Sequence, residues 1–140
     1  MRVFLDANVL FSAAFTDGAV RRLVNDMHAA SHTVVADRYV IEEALRNLAI
    51  HRPEAVPVLH TLTAALTVAP TRKSAADVPA EELRGVQLPE KDIPVLASAI
   101  GAGCDILITG DVRHFGPLFG RTVGGVTVRS PVDAAAVFLG

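Results

Sequence analysis

Short apolar runs alternate with helical stretches along most of this chain, and that alternation restricts the fold more than any other feature. Val3–Leu5, Thr33–Ala36, Thr67–Ala69, Ile106–Thr109 and Val126–Val128 read as strands, being short, largely β-branched or aliphatic, and bounded by turn residues. Between them lie stretches with helical signals. Asn8–Phe15 and Ala19–Ala30 are separated by a break at Gly18. Tyr39–Ile50 follows Asp37, a good N-cap, and Pro53 lies just beyond its end. Ala55–Leu66 accommodates Pro57 in its first turn, Ile93–Ile100 is closed by Gly101 and Gly103, and Pro131 opens a last helix through Phe138. Strands joined through helices pair in parallel by right-handed crossovers. The predicted fold is therefore α/β, a central parallel sheet flanked by helices, in one domain over residues 1–140. A chain of 140 residues is long enough to bury a real core, and its lack of Trp fits close helix-on-sheet packing.

Pro70 to Pro89 interrupts the pattern. It is polar, carries Pro79 between the two flanking prolines, and offers at most a short helix around Ala80 to Leu83. This stretch is expected to be a mobile or partner-facing segment rather than a linker between domains.

In sheets of this kind ligands gather at the carboxyl ends of the strands. Four acidic residues fall where that edge would collect them: Asp6, Glu43, Asp92 and Asp111. Asp6 directly follows the first strand, and Asp111 follows Ile106–Thr109 after Gly110, where a tight turn lets backbone approach a ligand. Asp92 precedes Ile93-Pro94 at a helix start. Asp6 and Asp92 suit N-caps as well as a site, and Asp111 suits a turn. Glu43 competes with Glu42: both flank the apolar face of Val40, Ile41, Ala44, Leu45 and Leu48, so periodicity does not choose. Glu42 stands one turn from Arg46, the spacing of a solvated ion pair, whereas Glu43 stands one turn from Asn47 and has no such partner, which favours Glu43. Asp105 precedes its strand and belongs at the opposite edge. Clustered carboxylates repel by roughly 4 kcal/mol per pair at about 4 Å and an effective dielectric near 20. They persist by protonation or by binding a cation. Oxygen donors suit Mg²⁺ or Mn²⁺, and the histidines lack zinc-like spacing. His114, close to Asp111, is within reach of a substrate but reads better as a surface histidine, and His51 and His60 read as residues of a helical surface or its end.

With a net charge of −2, no global field draws the protein onto nucleic acid, so such a substrate needs a local basic rim supplied from 13 Lys and Arg residues. Cys104 stands alone, which excludes an intrachain disulfide and suits a reducing compartment. The sequence shows neither a bilayer-length apolar run nor a signal peptide, so a cytoplasmic protein is expected, with no membrane partner.

The segments FLDANVL, EEALRNL, KDIPVLASAIGAGCDILITGD and SPVDAAAVFL together resemble a PIN domain, the small nuclease family that includes the toxins of many toxin–antitoxin pairs. The long third segment is the most specific, with an acidic residue, an Ala-rich helix and a strand ending in TGD in order. The resemblance implies a three-layer PIN-like fold in which Asp6, Glu43, Asp92 and Asp111 form a metal-binding catalytic quartet. It implies that Asn8 and Thr109 support that quartet by hydrogen bonding, and that the protein is a Mg²⁺- or Mn²⁺-dependent ribonuclease acting on RNA. Water activated by the metal would leave 5′-phosphate and 3′-hydroxyl ends, with no Ser, Cys or His nucleophile. A cognate antitoxin and a homodimer are further expectations of the family. The family often carries a further acidic or polar residue just after TGD, where Val112, Arg113 and His114 follow here. Arg22, Arg46 and Arg113 are candidates for holding substrate phosphates, since Arg pairs bidentately with phosphate.

Two other classes compete. A haloacid-dehalogenase-type phosphatase needs a second Asp two residues after the first, where this chain has Asn8, and usually another beyond a GD pair, which GDVRHF lacks. A non-catalytic scaffold or RNA-binding protein of the same fold would leave the carboxylate cluster without a use.

Overall fold

The computed structural model describes residues 1–72, 83 and 85–139. Strands β1 (Arg2–Leu5), β2 (Thr33–Asp37), β3 (Thr67–Ala69), β4 (Ile106–Ile108), β5 (Thr122–Val123) and β6 (Val126–Arg129) form one sheet in the order β3-β2-β1-β4-β6-β5. Every pairing is parallel except β5 with β6. The helices are α1 (Ala7–Phe15), α2 (Ala19–Ala29), α3 (Arg38–His51), α4 (Val56–Ala64), α5 (Ile93–Gly101), α6 (Val112–Phe115) and α7 (Pro131–Leu139). The expected alternation is thus present, within a residue or two at each end. The short helix expected around Ala80 to Leu83 lies, apart from its last residue, outside the described residues.

The central strands are apolar because both of their faces are covered. Val3, Phe4 and Leu5, Val34, Val35 and Ala36, and Ile106, Leu107 and Ile108 are all buried, the signature of a parallel strand packed by helices on either side. At the sheet margin, β3 is only three residues long and exposes Thr67 and Val68, a short edge that limits pairing with other chains. Asp37 ends β2 and caps α3 by accepting a hydrogen bond from Val40 N at 3.0 Å, as its position in the sequence suggested. Pro57 and Pro94 both sit in first turns, where a missing N–H costs nothing. Among the described residues no helix is long and apolar enough to cross a membrane.

The hairpin strand β5 was not expected. Two residues carry no periodicity of their own, and its place is set by pairing of Thr122 and Val123 with Thr127 and Val126 across the Gly124-Gly125 turn. Both glycines have positive φ, at 55° and 84°, which Gly reaches without steric cost.

Strand order reverses direction around β1: β2 and β3 follow on one side, β4 and β6 on the other. In an open parallel sheet such a reversal leaves a crevice at the carboxyl ends of the two diverging strands. Here those strands are β1 and β4, whose Leu5 and Ile108 are register partners.

Candidate active site

Continuing that register by one residue sets Asp6 beside Thr109. The ladder runs on through Asp6 N, which donates to Ile108 O at 3.0 Å, and the two side chains meet where the strands end. Thr109 Oγ1 donates to Asp6 Oδ2 at 2.8 Å, and Asn8 Nδ2 donates to the same oxygen at 3.2 Å. The other oxygen, Oδ1, accepts from Ala7 N at 2.7 Å and so caps α1. Asn8 is itself fixed, because its Oδ1 accepts from Gly110 N at 2.7 Å. A Cβ at Gly110 would stand 3.2 Å from Asn8 Oδ1, so the turn after β4 comes close to an asparagine side chain.

Asp6, Glu43, Asp92 and Asp111 all line one cleft of ≈ 460 Å³ at this edge. Glu43 reaches it from α3. Glu42, on the neighbouring position, turns to solvent and pairs with Arg38 at 3.4 Å; the expected partner Arg46 lies on the same helix but does not make this bridge. Asp92 precedes α5 without capping it: its backbone is already helical (φ −97°, ψ −16°), and its side chain makes no cap hydrogen bond. Its carboxylate is therefore not spent on the helix, and Asp92 Oδ2 lies 2.9 Å from His114 Nδ1. Asp111 has two duties. Its Oδ1 accepts from His114 N at 3.0 Å, capping α6, and its Oδ2 lies 3.0 Å from His114 Nδ1. Asp105 is at the far edge, where it accepts from Arg2 N at 2.9 Å.

Burial and like charge strain this arrangement. Asp6 is 5% exposed, and its pKa is pushed up from 3.8 to about 6, first by desolvation and further by the charges of Glu43 and Asp92, against the lowering effect of the Thr109 and Ala7 hydrogen bonds. The same negative field, after burial, raises the pKa of Tyr39, whose hydroxyl donates to Lys91 O at 2.8 Å and so ties α3 to the residue before Asp92.

A pH dependence follows. The folded protein holds the Asp6 proton more tightly than the unfolded chain, so this stabilisation is fully present below pH 3.8 and is lost as pH rises through about 6. A shift of about two units corresponds to something on the order of 3 kcal/mol. In EDTA, the stability of the wild type relative to Asp6→Asn is expected to fall over that window in denaturant titrations. A difference that does not change with pH would show that Asp6 titrates normally.

Several lining residues escaped the sequence reading. Phe11, Asn47, His51 and Lys91 also border the cleft. Glu43, Asn47 and His51 are spaced one helical turn apart on α3, so a stripe search from Glu43 would have found the latter two; Lys91 carried no such signal. His51 ends α3 and sets its ring edge-on to Phe11 at 6.3 Å. Among the described residues, Lys91 is the one Lys or Arg in the lining; Arg22, Arg46 and Arg113 are exposed and lie outside it.

The arrangement is that of a carboxylate-lined, solvent-accessible cleft at the carboxyl edge of a parallel sheet. Comparison with known proteins agrees with it at the level of sequence family and of fold. A family model described as PIN domain matches residues 2–113. Among solved structures, VapBC2 from Rickettsia felis, bound to a DNA fragment from its promoter, aligns with a TM-score of 0.67 at 14% identity, covering 93% of this chain and 98% of that one. VapBC-1 from nontypeable Haemophilus influenzae aligns at 0.62 and 12% identity over 94% and 99%. FitAcB from Neisseria gonorrhoeae aligns at 0.59 and 17% identity over 93% and 98%. No curated protein matches the chain.

Proposed function

Because the chain belongs to the PIN domain family, we propose that it is a Mg²⁺- or Mn²⁺-dependent endoribonuclease, acting as a single domain over residues 1–140. The observation that carries this reading is the convergence of Asp6, Glu43, Asp92 and Asp111 on one cleft, with the Asp92 carboxylate left free of capping. The donors fit a divalent cation. Asp92 Oδ2 and His114 Nδ1 are buried atoms without a hydrogen bond, which is costly unless a further group satisfies them. A cation would also relieve the charge that raises Asp6.

A bound divalent ion supplies Lewis acidity toward a phosphodiester and lowers the pKa of water at neutral pH. The chain's own residues do the rest. Glu43, Asp92 and Asp111 present carboxylates from three different elements, while Thr109 and Asn8 hold Asp6 in one orientation. Lys91 lines the cleft and can attract a substrate phosphate, and the exposed Arg22, Arg46 and Arg113 are candidates for further phosphate contacts outside the lining. Contacts of that kind position a nucleic acid without selecting its sequence. Cleavage leaves 5′-phosphate and 3′-hydroxyl ends. The toxin role, with a cognate antitoxin, a homodimer and a cytoplasmic setting, rests on the resemblance to PIN-domain toxins and is supported by the shared fold of VapBC2, VapBC-1 and FitAcB.

Two measurements test the reading. Mn²⁺ at about 100 times its Kd should stabilise the wild type by about 2.7 kcal/mol, several degrees in Tm, and Asp6→Asn much less. Purified protein should cleave RNA with Mg²⁺ or Mn²⁺ and not with EDTA. A wild type whose Tm ignores both ions would remove the metal from the proposal, and a metal-responsive protein without RNase activity would favour the scaffold. For the toxin role, induced expression should arrest growth and an adjacent small gene should relieve it.

A further inference from the structure

We propose that His114 is a ligand of the divalent ion in this cleft, its Nδ1 joining Asp92 and Asp111 around one position and biasing the site toward transition ions over Mg²⁺. The inference rests on the metal-dependent reading above and specifies it, because an all-carboxylate quartet has no reason to prefer a nitrogen-seeking ion.

Three donor atoms, one each from Asp92, Asp111 and His114, lie within 4.8 Å of one another. The Nδ1 distances to Asp92 Oδ2 and Asp111 Oδ2 are 2.9 and 3.0 Å. Those distances alone suit either hydrogen bonds or neighbouring ligands of an octahedral ion, whose donors at about 2.1 Å from the metal stand about 3.0 Å apart. The lack of hydrogen bonds favours the second. His114 Nδ1 and Asp92 Oδ2 are both buried and neither makes a hydrogen bond, despite their short separation. A cation held among these three donors would give both unpaired atoms a partner.

The local fold supports the same role. Asp111 Oδ1 caps α6 through His114 N, which fixes the backbone of His114 and leaves Asp111 Oδ2 facing the ring. Asp92 is likewise released from capping α5. Imidazole nitrogen favours later transition ions, whereas Mg²⁺ prefers oxygen, so a His ligand raises the affinity for Co²⁺ or Mn²⁺ relative to Mg²⁺.

Pulsed EPR of the full chain loaded with Mn²⁺ tests this directly. The wild type should show ¹⁴N coupling to the ion, lost in His114→Asn and His114→Gln and kept in His51→Asn, which alters the histidine that lines the cleft. Calorimetric titration should show Co²⁺ affinity falling about tenfold or more in His114→Gln, with Mg²⁺ affinity changed far less. Bound Mn²⁺ without nitrogen coupling in the wild type would overturn the His114 assignment while leaving the metal-dependent reading intact. Coupling that survives in the His114 variants and disappears in His51→Asn would overturn it too. Tighter binding of both ions in His114→Gln would mean that the ring is merely a cation competing for the carboxylates. A wild type that binds no Mn²⁺ would overturn both this assignment and the reading beneath it.

Discussion

Asp92→Asn is expected to reduce metal-dependent RNA cleavage by about a thousandfold or more, a loss of about 4 kcal/mol of transition-state stabilisation. The substitution keeps the shape of the side chain and removes one charge. Asp92 does not cap α5, so the change should spare the helix. It also takes away one of the charges that raise Asp6, so in EDTA the variant should melt at or above the wild-type temperature. That pairing of outcomes matters, because a dead enzyme that is also unfolded would say nothing about chemistry. Initial rates on a defined RNA and melting curves from the same preparation make the comparison. Cleavage by Asp92→Asn equal to the wild type would point to a contaminating nuclease and sink the proposed activity.

The second large effect separates two adjacent glutamates. Glu43→Gln should lower cleavage about a hundredfold, in line with the loss of one oxygen donor. Glu42→Gln should leave the rate within about twofold. Glu42 faces solvent, and its bridge to Arg38 joins side chains that are 54% and 81% exposed, so losing it should cost less than about 1 kcal/mol. The reverse pattern, an inactive Glu42 variant beside an active Glu43 variant, would reassign the carboxylate. An equal loss in both would mean that α3 itself had been disturbed.

The choice between those glutamates marks where the sequence became ambiguous. Strands β1, β2 and β4 were legible because a buried parallel strand must be apolar on both faces, and the chain writes that as short runs of Val, Phe, Leu, Ile and Ala; β3 and β6, partly exposed, were legible from their β-branched residues. Helical periodicity likewise placed α3, but Glu42 and Glu43 both flank its apolar face, and only the packing of α3 against α1, α4 and β2 turns one toward the cleft. Asp92 is a different case. An Asp before a helix reads as a cap, and whether it caps depends on its own φ and ψ, which a residue type does not determine. His114 was close to Asp111 in sequence, yet its second neighbour, Asp92, is brought in by α5 and is invisible to local spacing. β5 depended on a partner strand, and Lys91 on the path of a loop.

The pairing of β1 with β4 has a consequence in time. Asp6 and Thr109 touch across 103 positions of sequence, and the cleft exists only where those two strand ends lie side by side. A chain growing from its N-terminus produces Asp6, Glu43 and Asp92 well before the strand that aligns them. Contacts this distant in sequence form late and slowly. During synthesis the acidic residues are therefore separate and inert, and a chain broken off before β4 lacks the cleft altogether. If the finished protein is harmful to the cell that makes it, this topology defers the harm until translation has passed residue 111.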